Sequence, residues 1–105
     1  MMLPYFLVLL AEVEMQRGEP EAALGHLEEA QAMIDVTGTR IYEAELYRLM
    51  GCLLVEPFRK PHEARHAFLK AIDIAARQGN TLLRNAAQRS LDDLLGSQQM
   101  RSAPS

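Results

Sequence analysis

Ala23-Leu-Gly-His-Leu27-Glu-Glu-Ala30 and Ala64-Arg-His-Ala-Phe68-Leu-Lys-Ala71 each place a small, a large and a small residue at the same spacing, four and then three apart. On an α-helix that spacing keeps all three side chains on one face. The alanines let a second helix approach closely, and Leu27 or Phe68 fills the hole between them. The stretches that precede these carry the matching pattern. Leu7, Leu10 and Ala11 lie in the first, and Tyr47, Met50, Gly51 and Leu54 in the second; Ser90, after Ala86, continues the series. The small positions 11, 51 and 90 recur at about forty residues, the mark of a repeated helix pair. One such pair cannot bury its apolar stripe alone, so stacking of successive pairs has to supply the core.

Glycine and proline punctuate the chain between these stretches, at Gly18-Glu-Pro20, Thr37-Gly38-Thr39, Glu56-Pro-Phe-Arg-Lys-Pro61, Gly79-Asn80 and Gly96-Ser97. Five helices are expected, at about 4–17, 20–36, 40–55, 61–78 and 82–95. Pro4, Pro20 and Pro61 open three of them, where the missing N–H is one that no helical partner would use. Gly18, Gly38, Gly79 and Gly96 are expected just past helix ends. No stretch alternates as a half-buried strand does, so the fold class is all-α, about two and a half antiparallel hairpins in one domain over 1–96. The polar segment 97–105 is expected to be a disordered tail.

Over roughly residues 4 to 95 the chain resembles the tetratricopeptide repeat. Its period is nearer forty than thirty-four, and neither second helix ends in the customary proline, so the second helices are longer. Leu3-Pro-Tyr-Phe-Leu-Val-Leu-Leu-Ala-Glu, Tyr42-Glu-Ala-Glu-Leu-Tyr-Arg-Leu-Met-Gly-Cys-Leu-Leu and Ala75-Ala-Arg-Gln-Gly79 through Ser90-Leu are similar to the C-terminal repeats of large bacterial signalling ATPases, some of which carry a nucleotide cyclase or DNA-binding domain. The resemblance implies an α-α superhelix whose first helices line a concave face that binds a protein or peptide. By that resemblance the groove would comprise Tyr5, Val8, Glu12 and Met15, then Glu45, Arg48, Cys52 and Val55, and from the last unit Arg84, Ala87 and Leu91. The hairpin turn at 56–61 lacks the Asp or Gly usual in such repeats.

Composition narrows the classes of function. Fourteen acidic and eleven basic residues are interspersed and leave a net charge of −3. No field of one sign exists to gather nucleic acid or an anionic membrane, and neither is expected as a partner. Cys52 is the one cysteine, so no internal disulfide forms and a cytoplasmic location is expected. The apolar run Leu3–Ala11 lacks a preceding basic residue, is followed at once by Glu12 and Glu14, and is too short to span a bilayer.

His62-Glu63-Ala64-Arg65-His66 matches the pattern in which two histidines bind zinc and the glutamate acts as base. No His or Glu follows residue 66 to serve as third ligand, so a zinc hydrolase is the lesser reading and two exposed histidines the greater. His26 reads as a surface residue. Cys52 reads as a small apolar residue with no cationic neighbour to activate it. Met15, Met33, Met50 and Met100 offer an adaptable binding surface as one reading, but at helical spacing three of the four read as core. Glu43/Tyr47, Glu45/Arg48 and Glu28-Glu29 read as solvated faces. No nucleophile elbow or phosphate loop is present, and neither catalysis nor a cofactor is expected.

The fifth helix carries Leu82, Leu83, Ala86, Ala87, Leu91, Leu94 and Leu95, and no sixth helix follows to cover it. A homodimer through Leu83, Leu91, Leu94 and Leu95 is the resulting expectation. The alternative to a partner-binding module is a structural bundle that associates only with itself.

Overall fold

The elements appear where helix starts and stops were written into the chain: α1 (Pro4–Gln16), α2 (Pro20–Thr37), α3 (Glu43–Val55), α4 (Pro61–Arg77) and α5 (Thr81–Ser102). The computed structural model describes the backbone at residues 4–38, 40 and 42–102, and side chains at 5–38, 40 and 42–96. There is no strand among the described residues, so the protein is all-helical. None of these helices is long and apolar enough to cross a membrane.

Pro20 and Pro61 sit at the helix starts, and Gly18, Gly38 and Gly79 take left-handed backbone at the ends. At Gly38, where φ is 74°, the N–H reaches back to Ile34 O at 2.7 Å and ends α2. Asn80 accepts the Leu83 N–H on its side chain at 3.1 Å and caps the start of α5. The turn 56–60 lacks a glycine. It closes through backbone bonds from Phe58 to Leu53 and from Lys60 to Leu54, with Glu56–Pro57 in cis and Arg59 at positive φ.

Two boundaries differ from the sequence expectation. α3 begins at Glu43 and not at 40. α5 does not stop at Gly96; it runs on to Ser102, so residues 97–102 are helical backbone where a disordered tail was expected. Glycine inside a helix costs about 1 kcal/mol, and the good helix formers on either side of Gly96 outweigh it. Residues 103–105 of that tail, Thr39, and the side chain of Met100 lie outside the described residues.

α1 packs along α2, α3 along α4 and α4 along α5, while α3 also touches α2, α1 and α5. Leu7, Val8 and Ala11 of α1 meet Ala23, Leu27, Ala30 and Ile34 of α2, and Leu46, Leu49 and Leu53 of α3 close this first core. Met15, Met33, Met50 and Phe58 pack on its edge. A second core joins Ala64 and Phe68 of α4 to Leu91 and Leu94 of α5. The molecule is elongated, 53 × 31 × 19 Å, as helices added side by side make it.

At Gly51 α3 leaves no room for a side chain against α4: a Cβ there would lie 2.5 Å from the Phe68 ring. At Gly25, also helical, a Cβ would meet nothing within 4 Å.

Candidate functional site

α1, α3 and α5 bring several of the expected groove residues to one face. Glu12, Glu45, Arg48 and Cys52 are all half-buried. Arg48 donates from Nε and Nη2 to the two carboxylate oxygens of Glu45, at 3.0 and 2.5 Å, a two-pronged pair that fixes the guanidinium. Its basicity is raised, first by that hydrogen bond, against the opposing effect of burial; the charges of Glu45, Cys52 and Glu12 add to the rise.

Cys52 lies one turn beyond Arg48 and beside Ser90 of α5. Burial pushes its thiol pKa up and Glu45 adds to the rise, while Arg48 and Ser90 oppose it. The thiol therefore does have a cationic neighbour, contrary to the sequence reading, yet burial wins. Cys52 is expected to react with iodoacetamide at pH 7.5 several-fold more slowly than a free cysteine, with the rate climbing as pH rises past 9. A rate equal to that of the free thiol would refute this assignment.

Beside that pair a cavity of about 250 Å³ is lined by Cys52, Val55, Phe68, Ser90, Asp93 and Leu94. Val55, Phe68 and Leu94 make an apolar floor, and Ser90 and Asp93 a polar rim. Met15 lies elsewhere, in a notch of about 400 Å³ formed with Gly18, Pro20, Leu53, Glu56 and Pro57 at the turn end of the two helix pairs. Tyr5 is exposed and its ring lies 4.6 Å from that of Tyr42, tilted by 31°.

Other expected groove residues belong to the interior. Val8 is 3% exposed and Ala87 0%, so neither faces a partner, and Leu91 is buried in the second core. The same holds for two of the four residues expected in self-association, since Leu91 and Leu94 pack on Ala64 and Phe68. The reason is the phase of α5. Ala87, Ser90 and Leu94 repeat the spacing of Leu46, Leu49 and Leu53 in α3, so α5 turns its apolar stripe onto α4 as α3 turns its own onto α2. Leu82 and Leu95 remain exposed, Leu83 is half-buried, and Arg84 points to solvent.

A second concavity, polar and about 540 Å³, lies between α2, α3 and α4, with Gln31, Arg40, Glu43, Tyr47, Lys70 and Asp73 among its walls. Glu43, read as solvated, is only 5% exposed. It accepts from Arg40 Nη1 at 2.7 Å and from Gln31 Nε2 at 3.4 Å, so its charge is compensated where α3 starts against α2. Lys70 Nζ sits 5.0 Å from the centre of the Tyr47 ring. His26 is likewise less free than its neighbours in sequence suggest, with Nδ1 2.6 Å from Glu14 Oε1 across the α1–α2 contact.

In the zinc-binding pattern, His62, Glu63 and His66 are exposed, while Ala64 is wholly buried and holds the helix to its neighbours. No three His, Cys, Asp or Glu side chains among the described residues group to hold a metal ion. No protein-family model matches the chain, and neither does any curated protein or solved structure.

Proposed function

We propose that the chain is a non-catalytic, tetratricopeptide-like interaction module whose helix pairs stack into a short superhelix and whose α1–α3–α5 face holds a segment of a partner protein. The cavity floored by Val55, Phe68 and Leu94 carries this reading. It is smaller than the roughly 300–1,000 Å³ typical of small-molecule sites, and its size and lining suit a single apolar side chain. Ser90 and Asp93 on its rim, with the fixed Arg48–Glu45 pair alongside, supply polar groups that set the register of a bound extended or helical segment. The recurrence of small residues at positions 11, 51 and 90, and the side-by-side order of the helices, support the repeat assignment.

Selection of peptides from a displayed random library tests this directly. Peptides carrying a large apolar residue are expected to be enriched on the native chain. Val55→Arg, which puts a charged side chain across the cavity, is expected to weaken their binding at least tenfold, with Arg48→Glu altering which flanking residues are preferred. If nothing is enriched, or if the selected peptides bind Val55→Arg equally well, the groove is not the binding face.

A further inference from the structure

α1 and α3 occupy equivalent places about forty residues apart, which sets Phe6, Leu9 and Val13 against Leu46, Leu49 and Leu53. In α3 that face is packed against α2 and Leu46 is 0% exposed; in α1 the same face stands in solvent and Phe6 is 62% exposed. Tyr5 and Leu10 are exposed beside it. Together these side chains present on the order of 400 Å² of apolar surface in one place, as large as the greatest patch an ordinary monomer leaves open.

The opposite end of the molecule is built differently. α5 turns Arg84, Asn85, Gln88, Arg89 and Asp92 outward, all exposed. Stacking α1 of one copy on α5 of another would bury those groups against an apolar face that offers them no partner. An α1 face, however, matches itself. Positions 6, 9, 10 and 13 are spaced three, one and three apart, a pattern that reads the same in both directions along the helix. Two such helices laid antiparallel about a two-fold axis set Phe6 opposite Val13 of the second copy and Leu9 opposite Leu10.

We infer that the chain associates with a second copy of itself through α1, and not through α5. This goes beyond the groove reading and does not depend on it. The pair buries on the order of 800 Å² in total, below the roughly 1,200 Å² at which stable interfaces begin, so the dimer is weak and reversible.

Sedimentation velocity on the full chain, from about 5 to about 200 µM, tests it by mass action. The expected result is a monomer at the low end and a dimer at the high end. Phe6→Glu is expected to weaken association at least tenfold, and Leu82→Glu on α5 to leave it unchanged. The double variant Phe6→Glu/Val13→Lys is expected to recover association, because each new acid then faces the new base of the other copy. These positions are exposed, and an unchanged helical circular dichroism spectrum shows that the variants fold. A native chain that stays monomeric at about 200 µM overturns the inference, as does a Phe6→Glu chain that dimerises like the parent, a Leu82→Glu chain that dissociates, or a double variant that stays monomeric.

Discussion

Replacing Gly51 with leucine is expected to destabilise the protein by about 3 kcal/mol, lowering its melting temperature by roughly 15 °C. The clash begins at the first added atom, because a Cβ on Gly51 already falls 2.5 Å from the Phe68 ring. Phe68 is 1% exposed and packed on Ala64, Leu91 and Leu94, so the ring can turn only toward the cavity beside Cys52, and only by giving up those contacts. The rest of the leucine side chain adds to the overlap, so either those contacts are lost or α3 parts from α4. Gly51→Ala separates two opposing effects. Alanine gains about 1 kcal/mol of helix propensity over glycine, and a buried overlap costs roughly 1–3 kcal/mol. The net is a smaller loss than for leucine, and Phe68→Leu in the same chain is expected to return part of it, a coupling of about 1 kcal/mol that only contacting residues show. Thermal unfolding followed by circular dichroism reads all three variants; a leucine variant melting with the parent would mean that α3 and α4 do not cross here.

Phe68→Ala is expected to cost about 3 kcal/mol in urea unfolding, near the low end for buried aromatic residues. Phe68 is the largest of the fully buried side chains among the described residues and packs in the second core with Ala64, Leu91 and Leu94. The low end applies because the space vacated opens into the 250 Å³ cavity beside Cys52, where water can enter, and is not a sealed void. The substitution also removes the floor of the groove, so a variant that is still folded at low temperature is expected to lose peptide binding together with stability. A loss below about 1 kcal/mol would show that Phe68 is not a core residue.

These two expectations meet at one contact, and the contact shows how differently its parts were legible. The helices, their order and the pairing of Ala23–Leu27–Ala30 and Ala64–Phe68–Ala71 with a neighbour could be read from the chain. They depend on spacing of three and four and on backbone preferences that each residue carries with it. Pro20, Pro61, Gly18, Gly38 and Gly79 act in the same local way, and the structure puts all five at helix ends. Gly96 shows the limit of that logic: the same residue type, flanked by strong helix formers, stays inside α5.

The groove was legible only in part. Arg48 and Glu45 are three apart on one helix and find each other without help from the fold. Cys52 meeting Ser90, Glu43 meeting Gln31, and His26 meeting Glu14 each join residues at least twelve positions apart, and no local pattern announces them. By itself the sequence determined that this protein is helical, where its helices start and most of them stop, and which face of each second helix is small enough to be approached. The tertiary structure alone decided how α5 is turned. That choice buries Ala87, Leu91 and Leu94 and removes them from any surface, while the packing of α1 on α2 and α3 leaves Phe6, Leu9 and Val13 open. The physical reason is that a helix carries its own periodicity, but the side it buries depends on the neighbour against which burial removes the most apolar surface from water.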